Sequence, residues 1–254
     1  MNEKLVKAIL SYGNRYRNGI LLGPYGRQTK EDLQEQLIHN RWEALKFFFG
    51  RAFFQGRSDK VSERVYVTAM GALEAESDLA AKCFAGRDLD LLGDALRKVI
   101  GLGKVGKGGD IKMVISTFDH VSKLPAQNIV AHSLAAIVAG EIGRQYEELQ
   151  VIFQVGPKIA SFYLRDVVSL FNLESAVPDD FQFCLQPIDV WVKKLAMKTG
   201  MVVDGDSDND VRQAIVRVCG EYGCSPLQFN QGAWYAGYYA FDLLLETLAA
   251  LGLE

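Results

Sequence analysis

Apolar residues recur at helical spacing in block after block of this 254-residue chain, and that period restricts the folds open to it more than any other feature. In RWEALKFFFGRAFF (41–54), Trp42, Leu45, Phe49, Ala52 and Phe53 fall on one stripe. The same spacing predicts helices over 62–75, 88–102, 111–123, 128–139, 157–171, 189–200 and 208–223, and a long final one over 225–252. Strand-like alternation flanked by hairpin dipeptides is missing from the pattern. The fold class is therefore all-α, with loops near 22–30, 56–61, 103–110, 172–188 and 201–208.

Charge narrows the function classes. The net charge of −3 argues mildly against a nucleic-acid binder taken as a whole, yet the basic residues cluster. Residues 1–60 carry eleven lysines and arginines against six acids, and 97–123 carry six against Asp110 and Asp119. A basic face on an acidic chain is the expectation. No apolar run approaches the roughly 18 residues of a membrane span, and the opening MNEKLVKAILSYGNRYR lacks a signal-peptide core, so neither membrane insertion nor secretion is expected.

Four scattered cysteines (Cys83, Cys184, Cys219, Cys224) do not form a disulfide framework, and no histidine stands near Cys219 and Cys224 to complete a metal site. They read as reduced structural thiols in a reducing compartment, and no iron–sulfur cluster is expected. His39, His120 and His132 share no ligand spacing, so no metal is assigned.

Two motifs dissolve on inspection. GLGKVGKG (101–108) fits both G-x-G-x-x-G and the start of G-x-x-x-x-G-K, but Gly108 stands where a Mg²⁺-binding hydroxyl is needed and no strand precedes it. It reads as a helix connection whose Lys104 and Lys107 can meet phosphates. DGDSDND (204–210) lacks the glycine and closing glutamate of a calcium loop, so Asp208 or Asp210 opening a helix is the reading.

The stretch LQVIFQVGPKIASFYLRDV (149–167) is different. An apolar helix end meets Val155-Gly156-Pro157-Lys158, and a new helix begins. Gly156 is expected to supply the unusual backbone angle of a tight hairpin, and Pro157 suits the first helical position. The free N–H groups at such a helix start form an anion site. The helix dipole disfavours a cation there, so Lys158 is out of place for stability and has either a task or merely a place on the surface.

These residues resemble the helix-hairpin-helix DNA glycosylase superfamily, whose hairpin reads L-P-G-x-G-x-K-[TV]-A ahead of a catalytic aspartate. Val155, Gly156, Lys158 and Ala160 fall on that pattern, and Gln154 departs from it at the first glycine. Pro187-Ile188-Asp189-Val190-Trp191-Val192 is similar to the family's P-[VI]-D-x-x-[VI] segment. The insertion between Lys158 and Asp189, together with Pro226-Leu227 through Asn230, Trp234, Ala236 and Gly237, resembles the archaeal 8-oxoguanine glycosylase (AGOG) branch. Ala52 to Asp59 resembles the end of the first barrel helix, where relatives carry an amide that fills the gap left by an extruded nucleotide.

The resemblance implies a two-lobed helical fold with a cleft between the lobes: residues 41–180 as a bundle ending in the hairpin, and 1–40 with 181–254 as the second lobe. It implies Lys158 and Asp189 as the catalytic pair, and Asn230 and Trp234 in the base pocket. Gln55, Arg57, Lys104, Lys107, Val155 and Gly156 would meet the DNA. The partner would be damaged double-stranded DNA bound by a monomer, the location cytoplasmic and nucleoid-associated. No organic cofactor is implied, though relatives hold a monovalent cation at the hairpin.

The chemistry fits the residue types. A carboxylate stabilises the positive charge that develops on a sugar as its glycosidic bond breaks, and a neutral lysine amine attacks the anomeric carbon to form a Schiff base that permits β-elimination. The target base must leave the duplex to be reached. Each residue also has a plainer reading: Asp189 as a helix N-cap, Gln55 as a solvated helix end, Trp234 as core. The alternatives for the whole chain are a monofunctional glycosylase for another damaged base, a non-catalytic helix-hairpin-helix DNA-binding protein, and a helical interaction module.

Overall fold

The computed structural model describes residues 3–26, 29–100, 108–242 and 246. Every regular element among them is helical. The chain divides into two compact units: a terminal unit of Met1–Lys30 with Leu164–Glu254, and a mid-chain unit of Glu31–Tyr163.

In the terminal unit, α1 (Glu3–Tyr16) buries Leu5, Val6, Ile9, Gly13 and Tyr16 on one stripe and lies along α13 (Pro226–Tyr239). Glycine permits the close approach: a Cβ on Gly232 would sit 2.0 Å from the Ile9 carbonyl oxygen, and one on Gly13 would sit 2.5 Å from Gln228 Cγ. α11 (Val190–Lys198) and α12 (Asp208–Glu221) complete a core of Val192, Leu195, Val211, Ile215, Phe229 and Ala233. Ser207 and Asp210 cap α12 reciprocally, Ser207 Oγ accepting from the Asp210 N–H and Asp210 Oδ2 from the Ser207 N–H, so DGDSDND is a capping box.

Two expectations are corrected here. Residues 172–188 are no plain loop, since 3₁₀ turns Glu174–Ala176 and Asp179–Leu185 bury Gln182, Cys184 and Leu185. The final helix does not run on from 225 unbroken: the backbone leaves helical geometry at Ala240 (φ −142°, ψ 20°).

The mid-chain unit comprises α2 (Lys30–His39, its first residue aside), α3 (Arg41–Ala52), α4 (Asp59–Ala75), α5 (Ser77–Phe84), α6 (Leu89–Ile100), α7 (Gly108–Ser122), α8 (Ile129–Val138), α9 (Ile142–Leu149) and the start of α10 (Pro157–Phe171). Its centre is aromatic. Phe47, Phe48, Phe49 and Phe53 are fully buried, and the Tyr163 ring meets Phe48 edge-on at 5.2 Å. Burial pushes the Tyr163 phenol well above its ordinary pKa, and its hydroxyl donates to the Ile129 carbonyl.

The unit boundaries fall at 30/31 and 163/164, where the resemblance placed them at 40/41 and 180/181. Polar locks account for the difference. Asn128 donates to the carbonyls of Leu37 and Ile38 while its Oδ1 caps α8, holding α2 in the mid-chain unit. Arg165, Asp166 and Glu174 are tied to Tyr16, Asn230 and Ser225 within the terminal unit.

Acid should loosen the mid-chain unit. His120 is partly buried, with Nε2 lacking a hydrogen-bond partner. Burial lowers its pKa, His132 and Lys123 add to that, and Glu148 and Asp119 oppose it. A histidine whose folded pKa lies below its unfolded value of about 6.5 binds fewer protons when folded, so stability is complete above that pH and lost as pH falls through the lower folded value. Melting temperatures at pH 7.5 and 5 should differ, and His120→Gln should narrow the gap; an unchanged gap would assign the acid sensitivity elsewhere.

Candidate functional site

The hairpin is built from its buried anchors. Ile152, Val155, Ile159 and Ala160 are buried, while Val151 and Phe153 stay exposed. The turn 152–155 closes through the Val155 N–H donating to the Ile152 carbonyl at 2.9 Å, and Phe153 N–H donates to Ser116 Oγ at 3.0 Å. Its left-handed residue is Gln154 (φ +63°), not Gly156 as the sequence leads one to expect. Gln154 is third in the turn, the position at which a type II turn requires positive φ. Its amide lies against the start of α7, where a Cβ on Gly109 would come within 2.3 Å of Gln154 Nε2.

α10 begins at Pro157. The Val155 N–H is spent in the turn, so the amides open to an anion are those of Gly156, Lys158 and Ile159, none of which has an acceptor among the described residues. Lys158 is half-buried, and its ammonium has neither ion pair nor hydrogen bond among the described residues.

Two other predicted DNA contacts lie in this unit. Gln55, half-buried, donates through Nε2 to the Ala52 carbonyl at 2.8 Å and approaches Met113 Sδ at 3.4 Å. Arg57 grips Asp110 with both arms of its guanidinium, at 2.7 and 3.0 Å, and donates to the Phe53 carbonyl as well. Its side chain is 16% exposed, so it serves to pin the end of α3 to the first turn of α7. Lys104 and Lys107 lie outside the described residues.

Asp189 belongs to the terminal unit and caps α11. Its Oδ1 accepts from the N–H groups of Trp191 and Val192, each at 2.9 Å, which leaves Oδ2 without a partner among the described residues. The segment leading to it is held from behind: Arg212 Nε donates to the Gln186 carbonyl at 3.0 Å, and Asn230 Nδ2 donates to the Pro187 carbonyl at 3.2 Å. A cap on a segment anchored in this way has a carboxylate of defined direction.

Asn230 is completely buried, its Oδ1 accepting from Arg165 at 2.8 Å, so both ends of its amide are engaged inside the unit. Arg165 also donates to Asp166 (3.0 Å) and to the Tyr16 hydroxyl, and that hydroxyl donates to Asp166 (3.1 Å). Trp234, half-buried, stacks on Tyr238 (5.3 Å, 4°) and meets the Tyr16 ring edge-on (5.5 Å). Asn230 and Trp234 are thus connected through Arg165 and Tyr16.

The sequence reading overlooked Arg165, Asp166 and Tyr16. One signal was available: Arg165-Asp166 is the only charge between Lys158 and Glu174, set in the apolar face of α10. No cluster of three or more metal-ligating side chains occurs among the described residues, and no helix among them is long and apolar enough to cross a membrane. No protein family, curated protein or solved structure was found to match the chain.

Proposed function

We propose that this protein is a bifunctional DNA glycosylase and AP lyase that excises oxidised purines, 8-oxoguanine foremost. One observation carries the reading. The left-handed residue of the hairpin, Gln154, occupies the place where the glycosylase pattern has its first glycine, the residue type that such backbone favours. Four residues later Lys158 stands at the start of α10 without a partner among the described residues. Positive φ at the position where the sequence departs from the pattern is what supports the reading.

In this reading the hairpin amides of Gly156, Lys158 and Ile159 hold a backbone phosphate. The Lys158 amine attacks the anomeric carbon of an extruded nucleotide as the glycosidic bond breaks and the base leaves with a proton. The sugar ring opens to an imine on Lys158, a C2′ proton is removed, and the 3′ phosphate departs. Asp189, its Oδ1 committed to capping α11, offers Oδ2 to the positive charge on the sugar.

One observation favours a different reading. Completely buried and with both ends of its amide held inside the unit, Asn230 leaves base recognition to other groups, as a helix-hairpin-helix DNA-binding protein without excision activity would have it. A single experiment separates the two. Incubation with an 8-oxoguanine duplex and borohydride should trap a covalent protein–DNA adduct, which Lys158→Gln abolishes and Asp189→Asn slows by about a hundredfold or more. Strand binding with no adduct on any oxidised-purine duplex would establish the binding protein instead.

A further inference from the structure

The terminal unit has a pocket that the catalytic reading does not use. It is a cavity of about 110 Å³ with an open mouth, among the end of α1, the end of α10, the Glu174 turn and the start of α13. Gly13, Val168 and Leu227 form apolar walls, all buried. Two features set it apart from a surface dimple.

The first is Gln231. It is 2% exposed, lines the pocket, and its Nε2 is a buried donor without an acceptor among the described residues. An unmatched buried donor costs stability until an acceptor, from protein, water or ligand, reaches it. The second is Arg17, half-buried on the pocket wall at the first residue of the π-helical stretch Arg17–Leu22. Among the described residues its guanidinium has no carboxylate partner, only a 3.4 Å contact to Asn14 Oδ1.

The remaining groups sort by hydrogen-bonding sense. Asn14 has its oxygen turned to Arg17 and Asn172 has its oxygen on Lys30 Nζ (2.6 Å), so each has its NH₂ left to give. Arg17, Asn14, Asn172 and Gln231 thus form a donor set suited to an anion rich in acceptors. Two groups run the other way: Gln228 gives its NH₂ to the Leu10 carbonyl at 3.1 Å and so offers an acceptor, and Glu174 accepts through Oε1 from the Ser225 hydroxyl at 2.6 Å, its second oxygen suiting a hydroxyl donor on the ligand. An anionic group joined to a hydroxyl-bearing ring, on apolar walls, is a sugar phosphate.

We infer that this pocket binds a phosphorylated sugar, supplied as a free nucleoside monophosphate or as the 5′-phosphorylated end of a DNA strand. The inference stands apart from the glycosylase reading, because none of its residues serves the proposed chemistry.

Calorimetric titration of the full chain at low ionic strength tests it, with thymidine 5′-monophosphate, thymidine and inorganic phosphate as probes. The monophosphate should bind saturably, more tightly than phosphate, and thymidine should give no heat. Arg17→Met should weaken binding at least about tenfold, as loss of a charge-assisted hydrogen bond does, and Gln231→Leu should weaken it too. Asn14→Asp, on the exposed rim, should quench Arg17 and repel the phosphate without disturbing the fold. Equal affinity for thymidine and its monophosphate, unchanged affinity in Arg17→Met, or no saturation by about 10 mM, the weak end of small-anion binding, would overturn it. Competition by a 5′-phosphorylated oligonucleotide but not by its unphosphorylated counterpart assigns the ligand to a strand end; no competition by either assigns it to the free nucleotide. A chain that binds the monophosphate yet forms no borohydride adduct would refute the glycosylase reading alone.

Discussion

Arg165→Met is expected to destabilise the terminal unit by about 3–5 kcal/mol, the range for removing one partner of a buried ion pair. The side chain is 1% exposed and Asp166 is fully buried, so the variant leaves in the interior a carboxylate that has lost its neighbouring guanidinium. It also frees Asn230 Oδ1 from its donor, and with it the grip of Asn230 on the Pro187 carbonyl two residues ahead of Asp189. Removing both charges is a different experiment. In Arg165→Met/Asp166→Leu no ion remains uncompensated, and most of the lost stability should return. Urea titration followed by tryptophan fluorescence reads both variants, since Trp191 and Trp234 lie in this unit. A single variant within about 1 kcal/mol of the parent, the size of an ordinary surface change, would mean that the network contributes little.

Gly232→Ala should cost about 3 kcal/mol or more, at the upper end for overpacking a core. Helix propensity alone predicts the opposite, a gain of about 1 kcal/mol from replacing glycine inside a helix. Packing decides the sign. The new methyl would lie 2.0 Å from the Ile9 carbonyl oxygen and 3.0 Å from the Gly13 amide nitrogen, both main-chain atoms of α1 that cannot rotate aside. α1 must move away from α13 along its length. Gly220, near the end of α12, is the matched control: it has nothing within 4 Å of an added Cβ, so Gly220→Ala should be neutral or stabilising. The same urea titration should show the two alanines moving the midpoint in opposite directions, and a neutral Gly232→Ala would mean that α1 shifts at little cost.

Long helices were the legible part of the fold. α3, α4, α7, α8, α10 and α12 lie within a few residues of where apolar spacing puts them, because each buries a stripe several turns long. α5 and α9, at eight residues each, escaped because two turns hold too few apolar positions to establish a period. α1 escaped for another reason. Its buried face includes Gly13 and Tyr16, whose place there depends on α13.

The hairpin shows the same division at finer scale. Gly156-Pro157 announced a turn followed by a helix start, and the helix begins at Pro157. Which residue turns left-handed was not legible, since glycine is the residue expected there and glutamine took the role. Arg57 and Asn230 were assigned from the resemblance by residue type, and the fold surrounds one with Asp110 and the other with Arg165 and the Pro187 carbonyl.

The amino-acid order by itself determined an all-helical chain, a turn ahead of a lysine-led helix at 157–158, and an aspartate at the head of another at 189, because these depend on contacts within a few residues. Tertiary structure alone decided the 30/31 and 163/164 division, the burial of Arg165 and Asp166, and the unmatched donors of Arg17 and Gln231 around one pocket. Those depend on groups far apart along the chain, Tyr16 and Asp166 by 150 residues, and local spacing carries no record of which distant partner will neutralise a charge.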